Sequence, residues 1–376
     1  MVKYKLDSYV KFAFGPRWGR NRSSRGLTMI KREKTAVEAA VHPYKTRSGG
    51  ATVTVFVPYD CRNHCPFCVN KEEYADMTGF SLEAICQSIR KMDALTPYCD
   101  FVFTGGEPLA NLKSLQVMLD QVSDTHKVYI NTTLPVSREQ SEEEVLAFLK
   151  KNAGKITCLN ISRHMQHYVE ESNDQMLARL PVRFRINCVL YKKYPKDQLI
   201  PFMERFRKVH APSIQFRFDY TETTLENLYD EPHDQILRDL KQVACYTGLD
   251  GCRMRCGFHF RYKDLELVYH KTLPYSTIVE KDPEDGKTYA ILYDILIKQN
   301  GRIDSDWDGT VMDVDAYAHC KFEPYDLNGW NGYRPVRWRK KKKPCWVRNP
   351  ARRCEGKGVL PCSTPFVIMG KNPEAG

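Results

Sequence analysis

The segment DFVFTGGEPLANLKSLQVMLDQVSDTHKVYINTT, residues 100–133, decides the fold. Its first part, residues 100–104, is short, aromatic and β-branched, which is typical of a buried strand. Residues 112–122 then place apolar side chains at helical spacing, and residues 127–131 return to a strand pattern. A strand, a helix and a second strand in this order predict a βαβ unit, whose two strands lie parallel in one sheet.

The same alternation repeats on both sides of this unit. Six strands and five intervening helices are predicted between residues 50 and 220. The strands are expected at 51–57, 100–104, 127–131, 156–162, 182–190 and 213–218, and the helices at 81–95, 112–122, 138–152, 172–180 and 195–209. Because a closed barrel has eight βα units, the sequence predicts an α/β fold with a partial (β/α)6 TIM-like barrel. Functional side chains are expected at the carboxyl ends of its strands.

The regular alternation ends after residue 220. Residues 231–248 look helical, and residues 265–311 look like short strands joined by turns such as Asn300-Gly301. The sequence therefore predicts three parts: a basic N-terminal extension (1–48), a barrel core (49–222) and a smaller C-terminal α+β cap with a basic, cysteine-containing tail (223–376).

The composition excludes several classes of protein. The chain has 376 residues, of which 42% are hydrophobic and 11% aromatic, so it is too apolar for a disordered protein and long enough for a substantial core. No apolar run approaches the ~18 residues of a membrane span, and the N-terminus lacks the features of a secretory signal. Fourteen cysteines without an export signal argue against a disulfide framework and predict a cytoplasmic protein.

The formal net charge of +11 comes from two segments. Residues 1–34 carry +8 and residues 334–357 carry +10, which leaves −7 for the rest of the chain. The second segment contains the basic run 339–343 and interleaved aromatic residues, a pattern that can bind nucleic acid. Two interpretations stay open: solvated tails that keep the protein soluble, or a surface for an anionic partner.

Three cysteines follow the first predicted strand with the spacing CxxxCxxC: Cys61, Cys65 and Cys68. Three thiolates within eight residues can hold one side of a metal cluster, and three ligands suit a 4Fe-4S cluster with one iron open to a substrate or cofactor. The alternative is a zinc site, which needs a distant fourth ligand. Four other cysteines are expected to pack within the barrel: Cys86, Cys99, Cys158 and Cys188.

The second predicted strand ends in Gly105-Gly106-Glu107-Pro108. The two glycines allow the backbone to approach a ligand closely, and the carboxylate that follows can bind an amine. Because the first and second strands are neighbours, the cysteine triplet and this turn are expected side by side at one rim of the barrel.

The triplet, with Phe67 before its last cysteine, and the TGGEP turn on the next strand resemble the signature of the radical S-adenosylmethionine (radical SAM) superfamily. The resemblance covers about residues 50–220. It implies that Cys61, Cys65 and Cys68 hold a 4Fe-4S cluster whose open iron is chelated by S-adenosylmethionine (SAM). One electron would cleave SAM to a 5′-deoxyadenosyl radical, which abstracts a hydrogen from a substrate. The SAM contacts that it implies are Phe67, Gly105, Gly106, Glu107, Thr132, Ser162 and Asn187.

The chain resembles the branch that contains the cyclic-pyranopterin synthase and SPASM-type enzymes, although it lacks their C-terminal cluster motifs. That similarity points to Arg185 as a substrate contact, and His164 and Arg217 are further catalytic candidates at strand ends. An ion pair inside the barrel is the alternative for the two arginines, and a packed histidine is the alternative for His164.

The C-terminal third contains further cysteines that could form a second cluster or a zinc site. They are Cys245, Cys252, Cys256, Cys320, Cys345, Cys354 and Cys362. Residues 304–315 partly match a calcium-binding loop, but their flanks look like strands, so a β-hairpin with an Asp-Gly turn is predicted instead.

Two hypotheses of different class follow. The first is a radical SAM enzyme that receives electrons from a flavodoxin or ferredoxin and acts on a nucleotide, a nucleic acid or another phosphorylated molecule, with a peptide substrate as the alternative. The second is a noncatalytic iron–sulfur or zinc protein that binds nucleic acid through its basic segments.

Overall fold

The structure is a computed structural model. It describes residues 42–46, 50–57, 61, 63, 65–68, 79–134, 140–166, 174–190, 194–218, 234–249, 257–271, 276–307 and 309–323. Both basic segments, His167 and the C-terminal cysteines except Cys245 and Cys320 lie outside these residues.

The first half of the described chain alternates strands with helices. The strands are β1 (Tyr44–Thr46), β2 (Thr52–Val57), β3 (Asp100–Gly105), β4 (Lys127–Thr132), β5 (Ile156–Ser162), β6 (Phe184–Leu190) and β7 (Ser213–Phe218). The helices are α1 (Leu82–Leu95), α2 (Leu112–Leu119), α3 (Glu142–Lys151), α4 (Asp174–Ala178) and α5 (Leu199–Lys208). Strands β2 to β7 are parallel neighbours in sequence order, which confirms the predicted partial TIM-like barrel.

Local sequence signals account for the helix starts. Ser81 caps α1, because its hydroxyl accepts a hydrogen bond from the Ala84 amide at 3.1 Å. Ser141 and Glu144 form a reciprocal capping box at the start of α3. None of the helices in the described part is long and apolar enough to cross a bilayer.

The rest of the described chain adds strands to both edges of this sheet. Its elements are α6 (Gln235–Val243), β8 (Cys245–Leu249), β9 (Gly257–Tyr262), β10 (Leu265–His270), β11 (Thr277–Lys281), β12 (Thr288–Leu292), β13 (Asp294–Ile297), β14 (Ile303–Asp304) and α7 (Val314–Tyr317). Strand β10 pairs parallel with β7, and β13 pairs parallel with β2. The order of the large sheet is β14-β13-β2-β3-β4-β5-β6-β7-β10-β9-β8. The C-terminal region is α+β. Its strands β8, β9, β10, β13 and β14 extend the large sheet, whereas β11 and β12 form a separate three-stranded sheet with β1, in the order β1-β12-β11.

The C-terminal region contains the predicted helix, which is shorter than expected, and the predicted hairpin. The helix predicted at 231–248 ends at Val243, and the following residues form β8, which pairs antiparallel with β9. Asp304 forms an antiparallel bridge with Val311, and the Ser305 amide donates to the Thr310 carbonyl at 2.8 Å. This antiparallel pairing is that of the predicted hairpin; Asp308 of its predicted Asp-Gly turn lies outside the described residues.

The sheet has one apolar face and one face that carries polar side chains. On β3, Phe101 and Phe103 are fully buried in the core that the helices cover. The alternate face includes Thr54, Asn131, Asn160 and Arg185, which form hydrogen bonds between strands. The barrel interior is therefore polar, and the apolar core lies between the sheet and its helices. Cys86, Cys99, Cys158 and Cys188 are all buried, as predicted.

Candidate active site

The cysteine loop begins a few residues after β2. Cys61, Cys65 and Cys68 are partly exposed free thiols, and a turn is closed by the Cys68 amide, which donates to the Cys65 carbonyl at 3.1 Å. The Asn63 amide group donates to the Cys61 sulfur at 3.7 Å. Burial raises the pKa of the Cys61 thiol, and the nearby charges of Glu107 and Cys68 raise it further. The loop and the glutamate of the TGGEP turn therefore share one rim of the barrel.

The Gly105-Gly106 turn at the end of β3 requires glycine at its first position. Gly105 has a φ of 108°, a region that residues with a Cβ rarely adopt. The turn leads into a short 3-10 helix, Pro108–Ala110, which Glu107 caps through the Leu109 amide. The backbone thus reverses sharply at the carboxyl end of the strand, next to the cysteine loop.

Glu107 is buried and is bonded to the end of the neighbouring strand. Its Oε1 accepts from the Thr132 hydroxyl at 2.5 Å and from the Leu109 amide at 3.1 Å. Its Oε2 accepts from the Thr133 amide at 2.7 Å and from the Thr133 hydroxyl at 2.8 Å. Burial raises the pKa of Glu107, whereas these four donors lower it. The carboxylate therefore connects the end of β3 to the end of β4.

The end of β5 is connected to the same place by Arg163. Its side chain is fully buried, and its Nη1 donates to the carbonyl oxygens of Thr133 and Ser162, each at 2.8 Å. We call Glu107, Thr132, Thr133 and Arg163 the strand-end network. No function was predicted for Thr133 or Arg163 from the sequence. The only sequence signal was their position directly after predicted strands.

Phe67 and His164 pack together between the cysteine loop and β5. Their ring centroids are 4.9 Å apart in an edge-on arrangement, and both side chains are buried. The His164 Nδ1 accepts a hydrogen bond from the Val189 amide at 3.2 Å. Burial, together with the adjacent Arg163 charge, lowers the pKa of His164 to about 4. This placement matches a packed, neutral histidine.

Ser162 and Asn187 lie opposite each other on β5 and β6. The Asn187 Oδ1 is buried and has no hydrogen-bond partner within the described part of the chain. A buried acceptor without a donor is costly unless a water or a ligand supplies one. The two residues that the resemblance assigns to SAM are therefore adjacent, and one of them presents an unused acceptor.

Arg185 lies inside the barrel and is held there by neutral groups. Its Nε donates to Asn160 Oδ1 at 2.6 Å, and its guanidinium lies 5.7 Å from the centroid of the Tyr129 ring. Asn160 in turn donates to Asn131 at 2.7 Å. Arg185 also lowers the pKa of Asp100, although burial of that carboxyl group has the larger, raising effect. The arginine is part of a polar ladder across three strands.

Arg217 interacts with the carboxylate of Asp294, for which no role was predicted from the sequence. Its charge lowers the pKa of Asp294 on β13, but burial outweighs it, and the pKa of Asp294 rises to about 7. Asp294 Oδ1 accepts from the Thr54 hydroxyl at 2.8 Å, and the charge of Asp306 further raises its pKa. Strands β7 and β13 therefore approach closely enough for their charges to interact.

The donor set of the loop fits an iron–sulfur cluster, because three thiols at one rim are the ligands that such clusters use. Among the described residues, no three His, Cys, Asp or Glu side chains are gathered closely enough to hold a metal ion. Cys61 and Cys68 nevertheless lie within electrostatic range of each other. The fit to an iron–sulfur cluster therefore rests on the residue types and on their position in one loop.

Residues 48–153 match the family described as 4Fe-4S single cluster domain. The matched segment contains the cysteine triplet, the Gly105-Gly106 turn and Thr132. It confirms the cluster predicted from the sequence, and the chain resembles the radical SAM superfamily. No curated protein matches the chain.

Several solved structures are similar to this chain at low identity. Streptococcus suis SuiB bound to S-adenosylmethionine has 14% identity and a TM-score of 0.41, with coverage of 72% of this chain and 63% of that chain. Native anSMEcpe with bound AdoMet and Cp18Cys peptide has 14% identity and a TM-score of 0.35, with coverage of 45% and 51%. Type I 3-dehydroquinate dehydratase from Clostridium difficile has 8% identity and a TM-score of 0.29, with coverage of 46% and 64%. The chain spans less than two thirds of each of these proteins.

Proposed function

We propose that this chain, which resembles the radical SAM superfamily, is a radical SAM enzyme with its active site at the rim formed by the ends of β2 to β6. One observation carries the proposal. Cys61, Cys65 and Cys68 follow β2 within the segment that matches a 4Fe-4S domain, and the Gly105-Gly106 turn ends the neighbouring strand. When bound, the cluster would supply the electron that cleaves SAM to a 5′-deoxyadenosyl radical, which takes a hydrogen atom from the substrate.

The chain's own residues would bind and orient these groups. The three cysteines would hold the cluster, and the Gly105-Gly106 backbone, Ser162 and Asn187 would bind SAM. The Asn187 Oδ1 supports this assignment, because it has no hydrogen-bond partner among the described residues and can accept a hydrogen bond from an amine or hydroxyl group. The barrel interior would then receive the substrate and exclude water from the reacting atoms.

The experiment is anaerobic reconstitution with iron and sulfide, followed by dithionite and SAM. Wild-type protein is expected to bind close to four irons per chain and to form 5′-deoxyadenosine. Replacement of Cys61, Cys65 and Cys68 by alanine should abolish both. Cys86→Ala is the control, because Cys86 is a buried thiol on α1 that packs in the core. Retention of zinc without formation of 5′-deoxyadenosine would favour the noncatalytic hypothesis.

For the substrate we propose an anionic molecule: a nucleotide, a nucleic acid or another phosphorylated compound. The two basic segments and the interior guanidinium groups of Arg185 and Arg217 support this proposal. The test compares a fluorescent RNA oligonucleotide, mononucleotides and synthetic peptides as stimulators of 5′-deoxyadenosine formation. Stimulation by peptides alone would favour the peptide-modifying alternative. A cytoplasmic flavodoxin or ferredoxin is the proposed electron donor, and its replacement of dithionite in the same assay tests it.

A further inference from the structure

Phe56 lies near the end of β2 and faces the interior of the barrel. The apolar core between the sheet and its helices contains Val53, Val55 and Val57. Successive side chains of a strand point to opposite faces, so Phe56, which alternates with these valines, points away from that core. Its side chain is nevertheless only 1% exposed. Groups inside the barrel therefore cover Phe56, a few residues before Cys61.

One of these groups is Lys298, which directly follows β13. Ile297 pairs with Val55 in the parallel ladder, and this register places Lys298 beside Phe56. The Lys298 ammonium group lies 4.8 Å from the centroid of the Phe56 ring, and the residue is 8% exposed. Because the carboxyl ends of parallel strands meet at the same edge of a sheet, Lys298 brings a buried positive charge to the rim that carries the cysteine loop.

The second group is Trp307, in the hairpin that begins with β14. Its ring lies edge-on to that of Phe56, with 5.7 Å between the centroids. The Trp307 amide donates to Asp306 Oδ1 at 2.6 Å, and the Thr277 hydroxyl donates to the Ser305 carbonyl at 2.6 Å. These bonds hold the backbone of the hairpin in place, while the indole stays partly exposed. An immobilised aromatic ring thus lies close to a buried ammonium group. We call Phe56, Lys298 and Trp307 the aromatic–lysine cluster.

The other side chains on this face of β13 place the positive charge at the rim. Asp294 begins the strand, and its hydrogen bond with the Thr54 hydroxyl shows that it also faces the interior. Leu296 lies between Asp294 and Lys298 and is buried outside the apolar core. The carboxyl group therefore lies at the far end of β13, and the ammonium group lies at the end near the cysteine loop.

We propose that the aromatic–lysine cluster is a substrate-binding subsite, in which Trp307 stacks on an aromatic ring of the substrate and Lys298 binds a phosphate group of the same molecule. The proposal rests on the proposed function, in which the substrate enters the barrel at this rim. Lysine binds phosphate as a point charge, and aromatic side chains stack on bases of any sequence. An ammonium group has three donors, so Lys298 can bind a phosphate while it keeps its other contacts.

Binding of nucleotides and of nucleosides separates the two roles. The full chain is reconstituted anaerobically and saturated with SAM, so that the tested compounds cannot occupy the SAM site, and no dithionite is added. Equilibrium dialysis then gives the Kd of each ribonucleoside 5′-monophosphate and of the matching nucleoside. Lys298→Met should weaken binding of the monophosphates roughly 10-fold and leave the nucleosides unchanged, because it removes only the charge. Trp307→Leu should weaken binding of both kinds of compound roughly 10-fold, since they share the ring on which the indole stacks.

Conservative variants and a matched control test whether these effects are local. Lys298→Arg keeps the charge and Trp307→Phe keeps an aromatic ring, so both should bind monophosphates more tightly than Lys298→Met and Trp307→Leu do. Lys241→Met is the matched control, because the Lys241 ammonium group lies 5.3 Å from the centroid of the Tyr246 ring, on helix α6. It should bind every compound like the wild type. All variants should also bind as much iron as the wild type, which shows that the fold is kept.

A free nucleotide and a nucleotide within an RNA chain share the chemistry of the proposed ligand. A short RNA oligonucleotide in the same dialysis distinguishes them. If RNA binds more tightly than the monophosphates and loses affinity in Lys298→Met and Trp307→Leu, the subsite takes a nucleotide within a chain. If the monophosphates bind at least as tightly as RNA, the subsite takes a free nucleotide.

Three results would overturn one or the other proposal. Equal affinity of the wild type and Lys298→Met for every monophosphate would overturn the subsite, and this comparison decides the question even if Trp307→Leu does not fold. Absence of binding of monophosphates, nucleosides and RNA to the wild type would also overturn it. Failure of the wild type to form 5′-deoxyadenosine with dithionite would instead overturn the proposed function, since the dialysis needs no cleavage of SAM.

Discussion

The imidazole of His164 packs edge-on against the ring of Phe67, with 4.9 Å between the ring centroids, and this contact joins the end of β5 to the cysteine loop. The same imidazole accepts a hydrogen bond from the Val189 amide on β6. One buried ring thus holds three elements of the rim together. Because its pKa is lowered to about 4, the ring is neutral near pH 7 and serves the geometry of the site.

The first prediction concerns the titration of His164. Its ordinary pKa is about 6.5, so between pH 6.5 and 4 the unfolded chain binds more protons at this site than the native protein. The native state should therefore lose roughly 3 kcal/mol as the pH falls through that range. His164→Phe keeps an aromatic ring against Phe67 and should remove this loss. Urea unfolding of both proteins at pH 4 to 7 measures the difference, and identical pH profiles would contradict the prediction.

The second prediction concerns Asp294, whose shift has the opposite sign. Its pKa of about 7 exceeds the ordinary value of 3.8, so the native protein binds more protons there between these pH values. Asp294 should therefore stabilise the native protein fully below about pH 4. Roughly 4 kcal/mol of this stabilisation should be lost as the pH rises to 7. Asp294→Asn keeps an oxygen to accept from Thr54 and should abolish this dependence.

Difference infrared spectroscopy gives a direct check on Asp294. The wild type should show the carbonyl band of a protonated carboxyl group at pH 6, and Asp294→Asn should lack it. Absence of any band that depends on Asp294 would refute the raised pKa. Since the contributions of His164 and Asp294 oppose each other over overlapping pH ranges, the single variants should depend on pH more clearly than the wild type.

The third prediction concerns the buried guanidinium of Arg163. Arg163→Met would leave the carbonyls of Thr133 and Ser162 without their donor, so it should lower the free energy of unfolding by about 3 kcal/mol. Arg179→Met is the matched control: the side chain of Arg179 is 53% exposed and pairs with Glu142 on the surface. The control should lose less than about 1 kcal/mol. Equal losses in chemical denaturation would show that burial of Arg163 contributes nothing.

The fourth prediction concerns Gly301, in the turn between β13 and β14. A Cβ at this position would lie 2.6 Å from the Cβ of Ala84 on α1, and the φ of Gly301 is +80°. Gly286 has a similar φ of +70°, but a Cβ there would meet only the end of Lys281 at 3.9 Å. Both glycine-to-alanine variants share the backbone strain of about 1 kcal/mol, and Gly301→Ala should lose at least about 2 kcal/mol more because of the clash. Thermal unfolding measures both variants. Equal shifts in Tm would show that α1 accommodates the added methyl group without further loss of stability.

The local patterns predicted the barrel because each βα unit is encoded within about thirty residues. The strands at 156–162 and 213–218 have the predicted bounds, and helix α1 starts one residue after the predicted position. The parallel pairing of β10 with β7 and of β13 with β2 was not predicted. No short-range pattern specifies these partners, since tertiary packing decides which strand occupies an open sheet edge.

At the candidate site, too, the local motifs were predicted and the long-range contacts were not. The triplet and the Gly105-Gly106 turn were predicted because their residue types and spacing are specific. The partners of Glu107 were not, since its bonds to Thr133 join residues 26 positions apart. Asp294 looks like an ordinary strand residue in the sequence. Only its pairing with β2, through the Thr54 hydroxyl, places it inside the barrel.

Thr54 and Asp294 are in contact but lie 240 residues apart in the chain, so the ribosome synthesises their strands at different times. At about 5–20 residues per second, β2 would emerge roughly 10 to 50 s before β13, its neighbour on that side. During this interval the β-branched edge of residues 52–57 has unpaired backbone groups and can pair with other chains. A nascent chain of this protein would therefore depend on chaperones until its last strands arrive, and fragments that end before residue 294 should aggregate.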